Sequence, residues 1–192
     1  MDGARIATSS ILAGLALASP ALGTVEVYFD FAEWQAALPS FTTIDFTGFD
    51  KGDDIYDQYA DQGVLFPGDN FILLSESNFP IDGSGLHTGT FTEEIEASFF
   101  EPQYALATHF TGAIQLFLFS RGQLVYESGF FGDGIGLFVG LVSTDPFDGA
   151  MLRDPTDPVG VIDNLYFGVP APGALGFFAL AGMSGPGRRR RG

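Results

Sequence analysis

Two histidines and 24 carboxylates are the residues of this chain that could do chemistry. His87 lies in "GSGLH" and His109 in "YALATHF", far apart and each without a histidine neighbour. There is no cysteine, so a thiol nucleophile and a cysteine-rich zinc site are both excluded. A Ser-His-Asp triad assembles in space and leaves no fixed spacing. No GxSxG nucleophile elbow is present, however, and Gly83–His87 reads as a glycine-rich loop. P-loop, dinucleotide and HExxH patterns are absent as well. His109, within a strand pattern, reads as a wall or edge residue, and His87 as an exposed loop residue.

The carboxylates allow two chemistries. A glycosidase needs an acid and a carboxylate about 5–9.5 Å apart across a sugar cleft. Glu93, Glu94 and Glu96 qualify by type, and the same three also read as the solvated entrance to a strand. The other chemistry is calcium binding, which uses six to eight oxygen ligands and relieves repulsion between crowded acids. "DKGDDIYDQYAD" supplies Asp50, Asp53, Asp54, Asp57 and Asp61, but it lacks the 1-3-5 spacing and closing glutamate of an EF-hand. Asp30 and Glu33 need no chemistry: at the head of "DFAEWQAAL" they form a capping box.

The elements carrying these residues are mostly strands. "FAEWQAAL" has a helical period, with Phe31, Trp34 and Leu38 on one face and Pro39 at its end. From Phe41 on, short runs rich in Phe, Ile, Val and Leu alternate with Gly, Pro, Asp, Asn and Ser. In "AIQLFLFS", Ile114, Leu116 and Leu118 share one face and Gln115, Phe117 and Phe119 the other, which predicts a central strand. Nine or so such strands predict an all-β fold, a two-layer antiparallel β-sandwich of jelly-roll type with one short N-terminal helix. Glycan binding would call on exposed aromatics, and Tyr56, Tyr59, Tyr104 and Tyr126 are more available than Trp34.

Charge divides the chain into three parts. Residues 24–168 hold three basic and 23 acidic residues, a net charge of −20, while Arg5 balances Asp2 at the start and the four arginines make the tail positive. Residues 1–23 run from Arg5 through an apolar stretch, Ile11–Ala18, to the small residues Ala21 and Gly23, the pattern of a secretory signal peptide. Residues 24–168 have the size of one domain. Residues 169–192 join Pro170-Ala171-Pro172, an apolar stretch with helical composition, and Arg188, Arg189, Arg190 and Arg191. That apolar stretch is about half of the ~20 residues a good span needs, so it predicts transient membrane tethering. An arginine arm for nucleic acid conflicts with so acidic a body, and a polysaccharide partner would be neutral or bridged by cations.

This tail resembles the PEP-CTERM sorting signal of Gram-negative bacteria, with "VPAPGAL" in place of the glutamate-containing form and Ser184-Gly185-Pro186-Gly187 interrupting the apolar part. The resemblance implies export by the secretion machinery and signal peptidase, cutting by an exosortase-type enzyme, and a host that makes exopolysaccharide. The order "FAEWQAAL", "TIDF", "GVLF", "VGLVS", "IDNLYFG" also resembles domains found upstream of such tails. That likeness implies an extracellular, lectin-like sandwich. By analogy with lectin-like sandwiches, where a metal ties the first core strand to the last, Asp45 and Asp163 become the candidate calcium ligands. The competing reading has Asp163 and Asn164 capping a turn and the acidic segment simply solvated.

The expectation is an exported, non-enzymatic protein of the cell surface or extracellular matrix, associated with exopolysaccharide. The alternatives are a secreted glycan-active hydrolase and a calcium-stabilised structural module with no ligand of its own.

Overall fold

The computed structural model describes residues 23–76, 79–88, 94–154 and 161–169. The leader, Glu93 and the tail from Pro170 onward lie outside the described residues, and with them Ala171, Pro172, the expected tail helix and Arg188–Arg191. Among the described residues no helix is long and apolar enough to cross a membrane.

In chain order the elements are β1 (Val25–Tyr28), α1 (Phe31–Ala36), β2 (Ser40–Ile44), β3 (Val64–Leu65), β4 (Asn70–Glu76), β5 (Phe79–Thr88), β6 (Glu94–Ser120), β7 (Gln123–Glu127), β8 (Phe131–Arg153) and β9 (Val161–Val169), with a 3₁₀ turn at Ala60–Gln62. The nine strands form one antiparallel sheet with the path β1-β8-β6-β9-β5-β4; β2 joins β9, and β3 and β7 join β6. The fold is all-β, as the strand-like runs predict.

Local chemistry explains α1. Asp30 is extended, with φ −125°, and its carboxylate accepts a hydrogen bond from the Glu33 N–H. That contact, at 2.9 Å, satisfies a donor the helix leaves open at its first turn. Trp34 and Leu38 turn inward as the period predicts.

Strand lengths depart from the sequence reading. "IEASFF", "YALATHF" and "AIQLFLFS" are one strand of 27 residues, β6. Its interruptions act as bulges: register with β8 slips between Ser98 and Gln103 and on either side of Gly112. Gly112 takes a φ of +90°, which lets the strand bend without breaking. β8 therefore meets β6 repeatedly. Val139–Val142 pair with Ala105–Thr108, whereas Gly149–Arg153 are flanked by 94–98 on one side and 115–119 on the other. After β6 the chain does turn: Arg121 (φ 53°) and Gly122 (φ 73°) make the two-residue connection into β7.

"GSGLH" is also strand rather than loop, because it belongs to β5. Gly85 sits against β9 so closely that a Cβ would lie 2.5 Å from the Ile162 carbonyl oxygen, so this glycine admits a neighbouring backbone.

Two apolar clusters hold the sheet. The larger collects Ile44, Phe46, Ile55, Phe66, Ile72, Leu106, Leu116, Leu118, Leu141 and Phe147, among others. The smaller lies beneath α1 and centres on Trp34, with Leu38, Ala105, Ala107, Val142 and Tyr166.

Candidate functional site

The smaller cluster is where the chain gathers titratable and aromatic groups. Alternation in β6 and β8 gives it a shallow floor of Ala105, Ala107 and Gly140. Trp34 rests on that floor, and any Cβ at position 140 would collide with its indole. The indole N–H donates to the Leu141 carbonyl at 3.2 Å. Around it stand Phe31, Phe41, Phe138 and Tyr166, with ring centroids 5.0–6.2 Å apart.

His109 forms one wall of this cluster. It belongs to an interior strand, not an edge: Phe138 of β8 faces it on one side and Asn164 of β9 on the other. Its ring packs on Phe138 at 5.1 Å and Phe31 at 5.8 Å. Nδ1 lies 3.1 Å from the Tyr166 hydroxyl, which donates in one imidazole tautomer and accepts in the other. Burial lowers the His109 pKa, partly opposed by the charge of Asp163. Burial, with the same charge, pushes Tyr166 up to about 12. At neutral pH both groups are uncharged. The neutral imidazole and the protonated phenol tie β6 to β9 beside the aromatic lid.

His87 is half-buried in β5 rather than exposed in a loop. Its Nδ1 is 2.9 Å from the Thr88 carbonyl, and its ring lies 6.1 Å from that of Phe71, tilted by 42°. Burial lowers its pKa; the carbonyl contact works the other way and Lys51 adds to the lowering.

The two candidate metal ligands sit on neighbouring strands. β2 pairs with β9 up to Ile44 opposite Leu165, so Asp45, which follows Ile44, and Asp163, which precedes Leu165 by two residues, both lie just beyond that same end of the paired stretch. Asp45 is exposed and accepts from the Thr47 N–H at 3.1 Å and its hydroxyl at 2.9 Å. Asp163 is buried and falls at a bulge, where the register of β9 against β6 slips between His109 and Phe110. On its opposite edge β9 passes there from β2 to β5. Among the described residues no three His, Asp or Glu side chains are grouped to hold a metal. Two carboxylates supply part of the six to eight oxygens calcium requires; carbonyls and water would have to complete the set.

The acidic segment is anchored, not merely solvated. Ile55 and Tyr59 are buried in the main cluster, while Gly52, Asp53 and Ile55 exchange backbone hydrogen bonds with Asn70 and Ile72 at the edge of β4. Burial, reinforced by the charge of Asp45, pushes Tyr59 up to about 12. Tyr56 remains half-exposed.

Of the glycosidase candidates, Glu94 and Glu96 project from the same face of β6. Glu94 lies 3.9 Å from the Arg153 guanidinium, a weak ion pair. Arg153 itself was invisible in the sequence. It donates to the Gln115 side chain at 2.6 Å and covers the Phe117 ring at 5.2 Å. The only available signal was its rarity, as one of three basic residues in the body. Glu96 borders an open groove of about 280 Å³ together with Ser98, Phe119, Asp148, Gly149 and Met151.

Compared with protein-family models and with curated proteins, the chain shows no match. Its function has to be read from its own residues.

Proposed function

We propose that the chain is an exported, non-enzymatic protein of the cell surface or extracellular matrix, delivered by a PEP-CTERM-like tail and associated with exopolysaccharide. The observation that carries this reading is the charge layout: a cysteine-free body at −20 between an apolar leader and an apolar segment capped by Arg188–Arg191. Export by the general secretion machinery, cutting by signal peptidase and an exosortase-type enzyme, and brief inner-membrane tethering follow from that layout. The non-enzymatic reading is supported by His109 serving as a wall of the Trp34 cluster, and by Glu94 lying beside Arg153.

The body in this proposal is a two-layer, jelly-roll-like sandwich. Pairing supports it: β6 and β8 lie beside β1 and β9 along one stretch, and beside β3 and β7 along another. Two long strands bent at bulges would thus run through both layers, with the larger apolar cluster between them. Calcium would enter as a tie between β2 and β9 at Asp45 and Asp163. Thermal melts with and without chelator decide that point: a fall in Tm with chelator supports the ion, and coincident melts remove it.

Delivery is tested by mass spectrometry of the protein from a Gram-negative host that carries an exosortase. The expected product is envelope-associated and shortened at both ends, and changing Arg188–Arg191 to glutamine leaves the tail uncut. Recovery of an uncut chain, soluble in the cytosol, overturns the proposal.

A further inference from the structure

The outer face of β6 presents two phenylalanines in succession, Phe117 and Phe119, two residues apart and therefore on the same side. Phe117 is covered: Arg153 lies over its ring at 5.2 Å, with Glu94 beyond. Phe119 is half-buried and borders the open groove instead. Glu96 and Asp148 line that groove as well, the Asp148 carboxylate also accepting from the Arg121 N–H at 2.9 and 3.1 Å. The ring–cation–carboxylate arrangement built internally at Phe117 thus has its ring and acids repeated at Phe119.

Gly149 points the same way. It pairs with Phe119 across one strand boundary and with Ser98 across the other, in the interior of β8. A Cβ there would meet only the Phe119 Cβ at 3.6 Å and the Ala97 carbonyl at 3.8 Å, ordinary contacts. The positive-φ glycines do not include it. Neither conformation nor crowding calls for glycine at this strand position, where it carries a cost. What glycine does supply is the floor of the groove, the close approach for which strand glycines are used.

We propose that the groove over Gly149 binds the ammonium-bearing ring of an amino sugar, as in a de-N-acetylated polysaccharide. The ammonium would lie between Phe119 and the carboxylates of Glu96 and Asp148, by the cation–π attraction and charge pairing seen at Phe117. The CH-rich face of the sugar would pack on Phe119 and Met151, with the Ser98 hydroxyl available to a ring hydroxyl. At about 280 Å³ and open to one side, the groove suits one ring of a longer polymer. A body at −20 favours a polymer that brings its own positive charge over an acidic one. The inference rests on the surface reading above for the source of the polymer; the delivery experiment tests that reading separately, and a failure of either leaves the other standing.

The test is calorimetric titration of the purified chain with a β-1,4-linked glucosamine tetramer and with its N-acetylated counterpart. The amino form is expected to bind at least about tenfold more tightly, roughly the value of one desolvated cation–π contact. Phe119→Ala, and separately Gly149→Val, which fills the floor from a position with room for a Cβ, should each weaken binding by a similar factor of about ten with the chain still folded by circular dichroism, although the first lowers Tm and the second does not. Glu96→Gln should weaken it severalfold, whereas Asp57→Asn in the exposed acidic segment removes equal charge and should leave it within about twofold. Equal affinity for the two tetramers overturns the proposal. So does absence of binding, insensitivity to Phe119 and Gly149, or an oligolysine peptide that binds as tightly through the same residues.

Discussion

The two faces of β6, β8 and β9 solve the same packing problem differently. Toward the larger cluster these strands send Leu106, Val139, Leu141, Leu165 and Phe167, which fill space by volume. Toward α1 the intervening positions are Ala105, Ala107 and Gly140, and space is filled by Trp34 and its aromatic ring of neighbours. The first face holds mainly by apolar area, with the buried Thr108 hydroxyl donating to the Asn164 carbonyl at 2.6 Å, whereas the second rests on two contacts of its aromatic side chains, Trp34 to the Leu141 carbonyl and Tyr166 to His109. A lid of six helical residues cannot be stable by itself. Shape complementarity and oriented contacts must therefore do for α1 what bulk burial does for the interior.

The comparison is broken most severely at Trp34. Trp34→Ala should cost about 3–5 kcal/mol, at the upper end of what Leu106→Ala costs within the roughly 2–5 kcal/mol range for a buried leucine. Urea denaturation monitored by circular dichroism measures both. Should Trp34→Ala cost less than about 1 kcal/mol, α1 would be a bystander to the fold.

Gly140 sharpens the point. Gly140→Ala places a methyl group against the indole and should cost about 1–3 kcal/mol, as overpacking does. In the Trp34→Ala background the same methyl enters vacated space and should be neutral or stabilising. A double-mutant cycle reads this coupling directly, and additive costs would mean the floor and the indole do not in fact meet. Tyr166→Phe is expected to cost less, about 0.5–1.5 kcal/mol, the value of a hydrogen bond whose partner keeps some access to water.

These two faces differ in how legible they were. The Asp30 cap, the inward side of the helix and the apolar faces of "AIQLFLFS" follow from period and capping rules, which act over three or four residues. The all-β class follows from strand-like runs and turn residues. The lengths of β6 and β8 do not: Gly112 and Pro102 look like terminators, yet in an antiparallel pair one extra residue is absorbed as a bulge. "GSGLH" was misleading for a related reason, since glycine also serves close backbone approach. The His109–Tyr166 contact joins residues 57 apart, and Arg153 joins Gln115 from 38 residues away. No local rule encodes such pairs, because they depend on which strands become neighbours. The groove was hidden for the same reason, being formed where two stretches of one strand flank another.

The smallest expected effect is a pH slope that distinguishes the surroundings of the lid from those of β5. Burial depresses both histidines below their ordinary value near 6.5, so the unfolded chain takes up protons before the folded one does. Wherever the unfolded state binds more protons, stability rises with pH. The contribution is therefore complete above about 6.5 and is lost as pH falls from there toward the folded values. At the alkaline end Tyr166 and Tyr59 are each pushed up to about 12, so folding weakens as pH rises from about 10 toward those values. Asp163 opposes the burial effect at His109 only. Asp163→Asn should then lower the His109 titration further while leaving His87 unmoved, as followed by NMR of the imidazole Cε1 protons. If both histidines shifted together, or His109 shifted upward, the lid would not contain the carboxylate–imidazole–phenol arrangement that sets it apart from the interior.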